Sequence, residues 1–124
     1  LLWEPGTDGA TLVLIGPTAA QPGRHNYRMP LYTLSKSLVP ELTRVLATEL
    51  AARNRRCTAL TFDVIEGGMN KRLSAAARVA HADRIPGGNL PTLGEAADQV
   101  AWVLDNSNSL ISGANIFVTG AAVP

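Results

Sequence analysis

The sequence predicts an α/β fold, in which helices pack against a parallel β-sheet. Residues 11–15 form a continuous apolar run between glycines, and residues 58–64 and 114–118 form two more strand-like runs. The length and β-branched content of the first run favour a strand that is buried on both faces. A long helical pattern separates the first two runs, as the crossover between parallel strands requires. We therefore expect three parallel strands that are neighbours in chain order.

The long helical pattern extends from about Pro30 to about Asn54. Apolar residues recur in it at three- and four-residue steps, with charged residues between them, which indicates a helix with one buried face. Pro40 lies inside the pattern and removes the backbone hydrogen bond to the carbonyl group of Lys36. We therefore expect the helix to bend near Pro40.

The remaining segments continue the alternation of helix and strand. Residues 16–30 contain several glycines and prolines and are expected to form a loop. Residues 71–82 are alanine-rich and are expected to be helical. The sequence T-L-G-E at residues 92–95 matches a capping box, so a further helix is expected over residues 92–104.

The composition limits the kind of protein. The chain has 124 residues, 46% of them hydrophobic and 17% charged, with a net charge of +1, which is typical of one globular domain. A charge this near zero argues against nucleic acid or an anionic membrane as the main partner. No apolar run approaches the roughly 20 residues of a membrane span. The two histidines have no carboxylate or thiol at metal-ligand spacing, so no metal site is expected.

The only cysteine is Cys57, which excludes an internal disulfide and suits a reducing cytoplasm. Its place before a buried strand predicts an inert thiol. The first residues, Leu1-Leu2-Trp3, are followed at once by a turn-rich segment, which does not resemble a signal peptide. They also lack an initiating methionine. We therefore expect a cytoplasmic chain that is a piece of a longer protein or a processed product.

A tyrosine and a lysine four residues apart, Tyr32 and Lys36, stand at the head of the long helix. Residues at this spacing lie on the same helix face. A lysine there favours the ionised form of the phenol, which can then pass a proton at neutral pH. The spacing by itself is better explained by an ordinary amphipathic helix. Tyr27 is a weaker candidate because Leu31, not a lysine, stands four residues after it.

The Tyr–Lys pair and the helix after it resemble the active-site helix of the short-chain dehydrogenase/reductase family. That family has the pattern Y-x-x-x-K, often Y-x-x-S-K, running into a helix that ends near A-x-E-L. This chain has Y-T-L-S-K at residues 32–36 and A-T-E-L at residues 47–50. Three later segments resemble family patterns in the right order: V-x-P-G at residues 64–67, I-P-x-x-R-x-G-x-P-E-E-V-A at residues 85–101, and I-T-G followed by the last strand and D-G-G at residues 110–120.

The resemblance covers essentially the whole chain. It implies one domain, the C-terminal half of that fold, with three strands of a Rossmann-like parallel sheet and flanking helices. It also implies a parent enzyme that transfers hydride between NAD or NADP and a carbonyl or alcohol substrate. Tyr32 would exchange the proton with the substrate oxygen, and Lys36 would hold the nicotinamide ribose and assist ionisation. Glu66 and Gly67 would lie beside the nicotinamide, and residues 68–85 would cover the substrate.

The sequence also departs from the family pattern. The glycine-rich dinucleotide loop, G-x-x-x-G-x-G, is absent, so the chain is expected to be inactive alone. At the place of the catalytic serine, an ungapped match gives Pro17 and a one-residue slip gives Thr18, whose hydroxyl would orient the carbonyl. Glu66 replaces the proline of V-x-P-G. These departures favour a second hypothesis, a non-catalytic assembly or binding protein related to the family.

Strand 11–15 has further consequences for assembly. The strand that would flank it in the complete fold is missing from this sequence. An uncovered central strand exposes unpaired backbone groups and tends to pair with another chain. We therefore expect a homo-oligomer, or a partner chain that carries the nucleotide-binding half.

Overall fold

The computed structural model describes residues 9–23 and 28–122. The described residues form one sheet of three strands, β1 (Thr11–Pro17), β2 (Arg56–Phe62) and β3 (Asn115–Val118). The strands lie in the order β1-β2-β3, and both neighbouring pairs are parallel, as the sequence predicts. The α-helices of the described residues are α1 (Pro30–Ser37), α2 (Val39–Ala51), α3 (Ala75–Ala82) and α4 (Leu93–Leu104).

The predicted long helix is divided in two. The expectation of one helix over residues 30–54 is wrong in its continuity, because Leu38 forms a turn between α1 and α2, and α2 ends at Ala51. The cause is Pro40, which lacks an N–H group and collides with the preceding helical turn. It lies in the first turn of α2, where the missing donor would have no helical partner anyway. The bend predicted near Pro40 is therefore present as a break.

The second strand begins and ends two residues earlier than the predicted range 58–64. Phe62 pairs with Pro17 on one side and with Val118 on the other, and all three strands end at this level. Proline offers no backbone donor to continue the ladder. Asp63 is consequently the first residue beyond the sheet, instead of a residue inside it.

The segment 71–82 is not one helix, as predicted, but two short ones. It opens within a 3-10 helix, Gly68–Arg72, and α3 starts only at Ala75. Ser74 is the reason for the new start, because its Oγ accepts a hydrogen bond from the backbone N–H of Ala77 at 3.2 Å.

The capping box of α4 is confirmed. Thr92 Oγ1 accepts a hydrogen bond from the backbone N–H of Glu95 at 3.2 Å, and Glu95 Oε2 accepts one from the backbone N–H of Thr92 at 2.8 Å. The hydrogen bond from the Thr92 backbone is the main cause that lowers the pKa of the Glu95 carboxyl, and the Thr92 hydroxyl adds to it.

Helices cover both faces of the sheet. On one face, Leu60 and Phe62 of β2 pack with Ala96 and Val103 of α4. Because alternate residues of a strand point to opposite faces, Thr61 lies on the other face. There a Cβ added to Gly16 would lie 3.4 Å from Thr61 Oγ1 and 3.5 Å from a methyl group of Val39 in α2. The fold is therefore the predicted Rossmann-like α/β arrangement.

The first strand is less buried than the sequence suggests. Residues 11–14 are half-buried and Ile15 is 45% exposed. Within the described residues, β1 pairs along one edge only, with β2. No helix among the described residues is long and apolar enough to cross a membrane.

Candidate active site

A cleft of about 960 Å³ lies at the ends of β1 and β2. It is bounded by the strand ends, by α1, by the turn that begins at Gly67, and by residues at the end of α3. In open parallel sheets, ligands bind outside the carboxyl ends of the strands, where the loops leave a crevice. The cleft has this position, so it is the candidate active site.

Tyr32 and Lys36 both line the cleft from α1 and both are half-buried. Their position follows from the helix start, because Pro30 at the first helical position has the backbone angle that a helix needs. Lys36 Nζ donates a hydrogen bond to the backbone carbonyl of Ile15 at 3.1 Å. This contact ties the ammonium group to the end of β1, at the base of the cleft.

Thr18 also lines the cleft, directly after β1, and is 3% exposed. Its hydroxyl donates a hydrogen bond to Asp63 Oδ1 at 3.0 Å. The other carboxylate oxygen of Asp63 accepts a hydrogen bond from Arg84 Nη2 at 3.3 Å. One carboxylate therefore connects the hydroxyl after β1 to the guanidinium after α3.

The sequence interpretation did not identify Asp63 or Arg84 as site residues. Asp63 carried a usable signal, because an acidic residue at the end of a buried apolar strand is unusual unless it is paired. Arg84 carried no comparable signal. Its place in the cleft depends on how the α3 segment returns to the sheet.

The predicted pair Glu66 and Gly67 is divided between two cavities. Gly67 lines the cleft, whereas Glu66 lines a second cavity of about 610 Å³ together with Thr92 and Glu95. The backbone N–H of Glu66 donates to the carbonyl of Pro91 at 2.8 Å. The backbone of Gly67 has φ +98° and ψ −167°, a conformation that is essentially restricted to glycine.

The cleft combines apolar walls with a few polar groups, as small-molecule sites do. Met69, Leu73 and Leu93 supply apolar surface. Besides the Tyr32 phenol, the side chains that can carry charge are the carboxylate of Asp63 and the basic groups of Lys36, His81 and Arg84. The described residues contain no group of three or more side chains that could hold a metal ion. Tyr27 and His25 lie outside the described residues.

The class of protein follows from a match between this chain and a family profile. The profile of the family described as "Enoyl-(Acyl carrier protein) reductase" matches residues 4–121. The chain belongs to the short-chain dehydrogenase/reductase family, as the resemblance in the sequence implied.

Particular relatives give the comparison more detail. The 3-oxoacyl-[acyl-carrier-protein] reductase FabG of Thermotoga maritima is 32% identical over 102 residues, which are 82% of this chain and 39% of that protein. The uncharacterized oxidoreductase YmfI of Bacillus subtilis is 31% identical over 90 residues, which are 73% of this chain and 37% of that protein. The chain therefore spans about two fifths of the length of these relatives.

Solved structures show the same fold. A short-chain dehydrogenase/reductase (glucose/ribitol dehydrogenase) from Brucella melitensis superposes with a TM-score of 0.82 at 24% identity, over 92% of this chain and 45% of that one. The 3-ketoacyl-(acyl-carrier-protein) reductase of Brucella melitensis, solved in complex with NADH, superposes with a TM-score of 0.74 at 26% identity. That match covers 90% of this chain and 43% of that one.

Proposed function

We propose that the protein is an NAD(P)-dependent oxidoreductase that transfers hydride between the nicotinamide and a carbonyl or alcohol substrate. One observation carries the proposal: Tyr32, Lys36 and Thr18, the three predicted catalytic residues, line a single cleft at the ends of β1 and β2. Because Thr18 comes from a segment other than the helix that carries Tyr32 and Lys36, the meeting of all three in one cleft is better support than the spacing of the Tyr–Lys pair alone.

The residues of the cleft fit the nicotinamide end of such a cofactor. Lys36 offers an ammonium donor, and Gly67 leaves its side of the cleft without a Cβ. The sequence has no G-x-x-x-G-x-G run, so we propose that residues outside these 124 hold the pyrophosphate. On this proposal, residues 1–124 alone have no turnover.

The roles of the protein groups follow from their chemistry. When bound, the nicotinamide cofactor supplies hydride to a carbonyl carbon or accepts it from an alcohol carbon. In reduction, the Tyr32 phenol gives its proton to the carbonyl oxygen and is left as a phenolate, which then regains a proton from water. The Lys36 ammonium stabilises that phenolate electrostatically. Thr18 places a hydroxyl beside the substrate oxygen.

The names of the Thermotoga and Brucella relatives make a 3-oxoacyl thioester the first substrate to assay. We propose Tyr32→Phe in the natural-length protein, with NADH and NADPH each as reductant. The change removes only the proton donor, so kcat should fall by about 10²- to 10⁴-fold while the melting temperature stays unchanged. Tyr27→Phe is the matched control and should retain activity. Full activity in Tyr32→Phe, with loss in Tyr27→Phe, would transfer the role to Tyr27.

A non-catalytic binding protein is the second candidate. The observation that favours it is the hydrogen bond from Thr18 to Asp63, which occupies the hydroxyl proton of the residue in the serine's place. Titration with NADH and NADPH, followed by cofactor fluorescence, separates the two candidates. Saturable binding without turnover of any carbonyl substrate would favour the second.

We also propose that a second copy of the chain packs against α1 and α2. Large apolar side chains at steps of three or four residues are 47–81% exposed along these helices: Leu31, Leu34, Leu38, Leu42 and Val45. Such a contiguous apolar stripe on a protein surface marks an association site. The edge of β1 that β2 does not pair supports association as well.

Sedimentation at micromolar concentration tests this assembly. The natural-length protein should sediment as a dimer or larger, and Leu34→Lys with Leu42→Lys should shift it towards monomer. Val79→Lys is the control, since Val79 is 58% exposed on a different helix. An unchanged sedimentation coefficient in the double variant would exclude this surface.

The single buried thiol is compatible with the reducing cytoplasm that we propose as the location.

A further inference from the structure

We propose that Asp63 is a positioning residue that turns the Thr18 hydroxyl, so that Thr18 accepts a hydrogen bond from the hydroxyl form of the substrate. The inference rests on the proposed function, since it assumes that the substrate oxygen enters the cleft beside Thr18. It assigns a role to Asp63 and Arg84, and it gives the Thr18 hydroxyl a direction.

The direction follows from the chemistry of the two groups. An ionised carboxylate only accepts hydrogen bonds, so in the 3.0 Å contact the Thr18 hydroxyl is the donor and Asp63 Oδ1 is the acceptor. A hydroxyl has one proton and two lone pairs. With its proton directed at Asp63, Thr18 can offer the cleft only lone pairs, which bind an O–H group and repel a carbonyl oxygen.

The burial and the contacts of the two side chains keep the Thr18 hydroxyl proton directed at Asp63. Thr18 is 3% exposed, so little water competes for its hydroxyl. The side chain of Asp63 is 14% exposed, and its second oxygen is paired with Arg84 at 3.3 Å. A hydrogen bond to a carboxylate is roughly twice as strong as one between neutral groups. The Asp63 carboxylate is therefore fixed from two sides, by the hydroxyl of Thr18 and by the guanidinium of Arg84.

The inference predicts a change of preference between the two forms of the substrate. Asp63→Ala frees the Thr18 proton, which can then be donated to a carbonyl oxygen. The KM for acetoacetyl-coenzyme A should therefore fall, and the inhibition constant of 3-hydroxybutyryl-coenzyme A should rise, each by severalfold and up to about tenfold. A merely structural loss would weaken both ligands together.

Two further variants make the test specific. In Asp63→Asn, the one amide oxygen is held by Arg84, which can only donate, so the amide NH2 faces Thr18 and frees the Thr18 proton. Both constants should therefore change in the same direction as in Asp63→Ala. In the Thr18→Val background, Asp63→Ala should change neither constant, because Asp63 acts through the hydroxyl. Equal weakening of both ligands by Asp63→Ala, or the same effect in the Thr18→Val background, would overturn the inference.

Thermal unfolding tests the contact without turnover. Thr18→Val and Asp63→Ala should each lower the melting temperature of the natural-length protein, and the double variant should lower it by less than the sum. If no carbonyl compound is reduced, the proposed function fails, and the melting temperatures still decide the Thr18–Asp63 contact. If reduction is found but the two shifts simply add, this inference fails while the proposed function stands.

Discussion

Gly67→Ala tests the turn that connects the end of β2 to the cleft. Gly67 has φ +98° and ψ −167°, in a region of backbone space that side chains exclude. An added Cβ would lie 2.8 Å from Leu93 Cδ1, closer than carbon atoms approach without displacement. The replacement therefore strains the backbone and crowds a neighbour on the first turn of α4.

The two effects differ in size. Holding a non-glycine residue in this region costs about 1–3 kcal/mol. The crowding is cheaper, because Leu93 is 54% exposed and its side chain can turn towards solvent. We therefore expect Gly67→Ala to lower the free energy of unfolding by about 2–3 kcal/mol, most of it from the backbone.

Denaturant unfolding of the natural-length protein measures this loss. Gly68→Ala is the control, because Gly68 has φ +51° and an added Cβ would meet nothing within 4 Å. A φ of this size lies in the left-handed region, which costs a non-glycine residue about 1–2 kcal/mol. Adding Leu93→Ala to Gly67→Ala should recover only the smaller, steric part. A Gly67→Ala loss no larger than that of Gly68→Ala would refute the reasoning.

Three further outcomes follow from the described contacts. Leu60→Ala removes a side chain that is 1% exposed in the central strand, so the free energy of unfolding should fall by about 2–5 kcal/mol in a denaturant titration. The lowered pKa of Glu95 means that its contribution to stability is present above the usual carboxyl value of 4.5 and is lost as the pH falls below it. Acid titration should accordingly destabilise the natural protein more than Glu95→Gln, and equal losses would contradict the capping role. Cys57 is fully buried and burial raises the pKa of its thiol, so a thiol reagent at pH 7.5 should modify it only after unfolding.

The parallel sheet could be predicted because its signal is local. Short β-branched runs separated by helical segments leave few topologies, and right-handed crossovers between neighbouring strands are the common one. The capping box at Thr92 and Glu95 was equally local, since both partners lie within one turn. The Tyr32–Lys36 pair was found for the same reason, because helical spacing alone brings the two side chains to one face.

The break between α1 and α2 shows where local reasoning is incomplete. Pro40 was correctly recognised as incompatible with a straight helix. Whether a helix bends or stops at a proline depends on what the next segment packs against. Here α2 packs against β2 and buries Thr43 and Ala47, so the second helix takes its own direction across the sheet.

The Thr18–Asp63 contact could not be predicted, because it depends on strand register. These residues are 45 positions apart in the chain. They meet because Pro17 pairs with Phe62, so that each is the first residue after a paired end.

The sequence pattern leaves the limits of the second strand uncertain by two residues. The predicted range 58–64 placed Asp63 inside the sheet, whereas the observed Arg56–Phe62 places it at the cleft. A slip of one residue would turn every side chain of β2 to the opposite face. The chemistry of the cleft is therefore set by pairing between strands, which composition and periodicity do not determine. Tyr32 and Lys36 belong to one helical turn and are independent of that register, so the pair is visible in the sequence, whereas the contact between Thr18 and Asp63 is not.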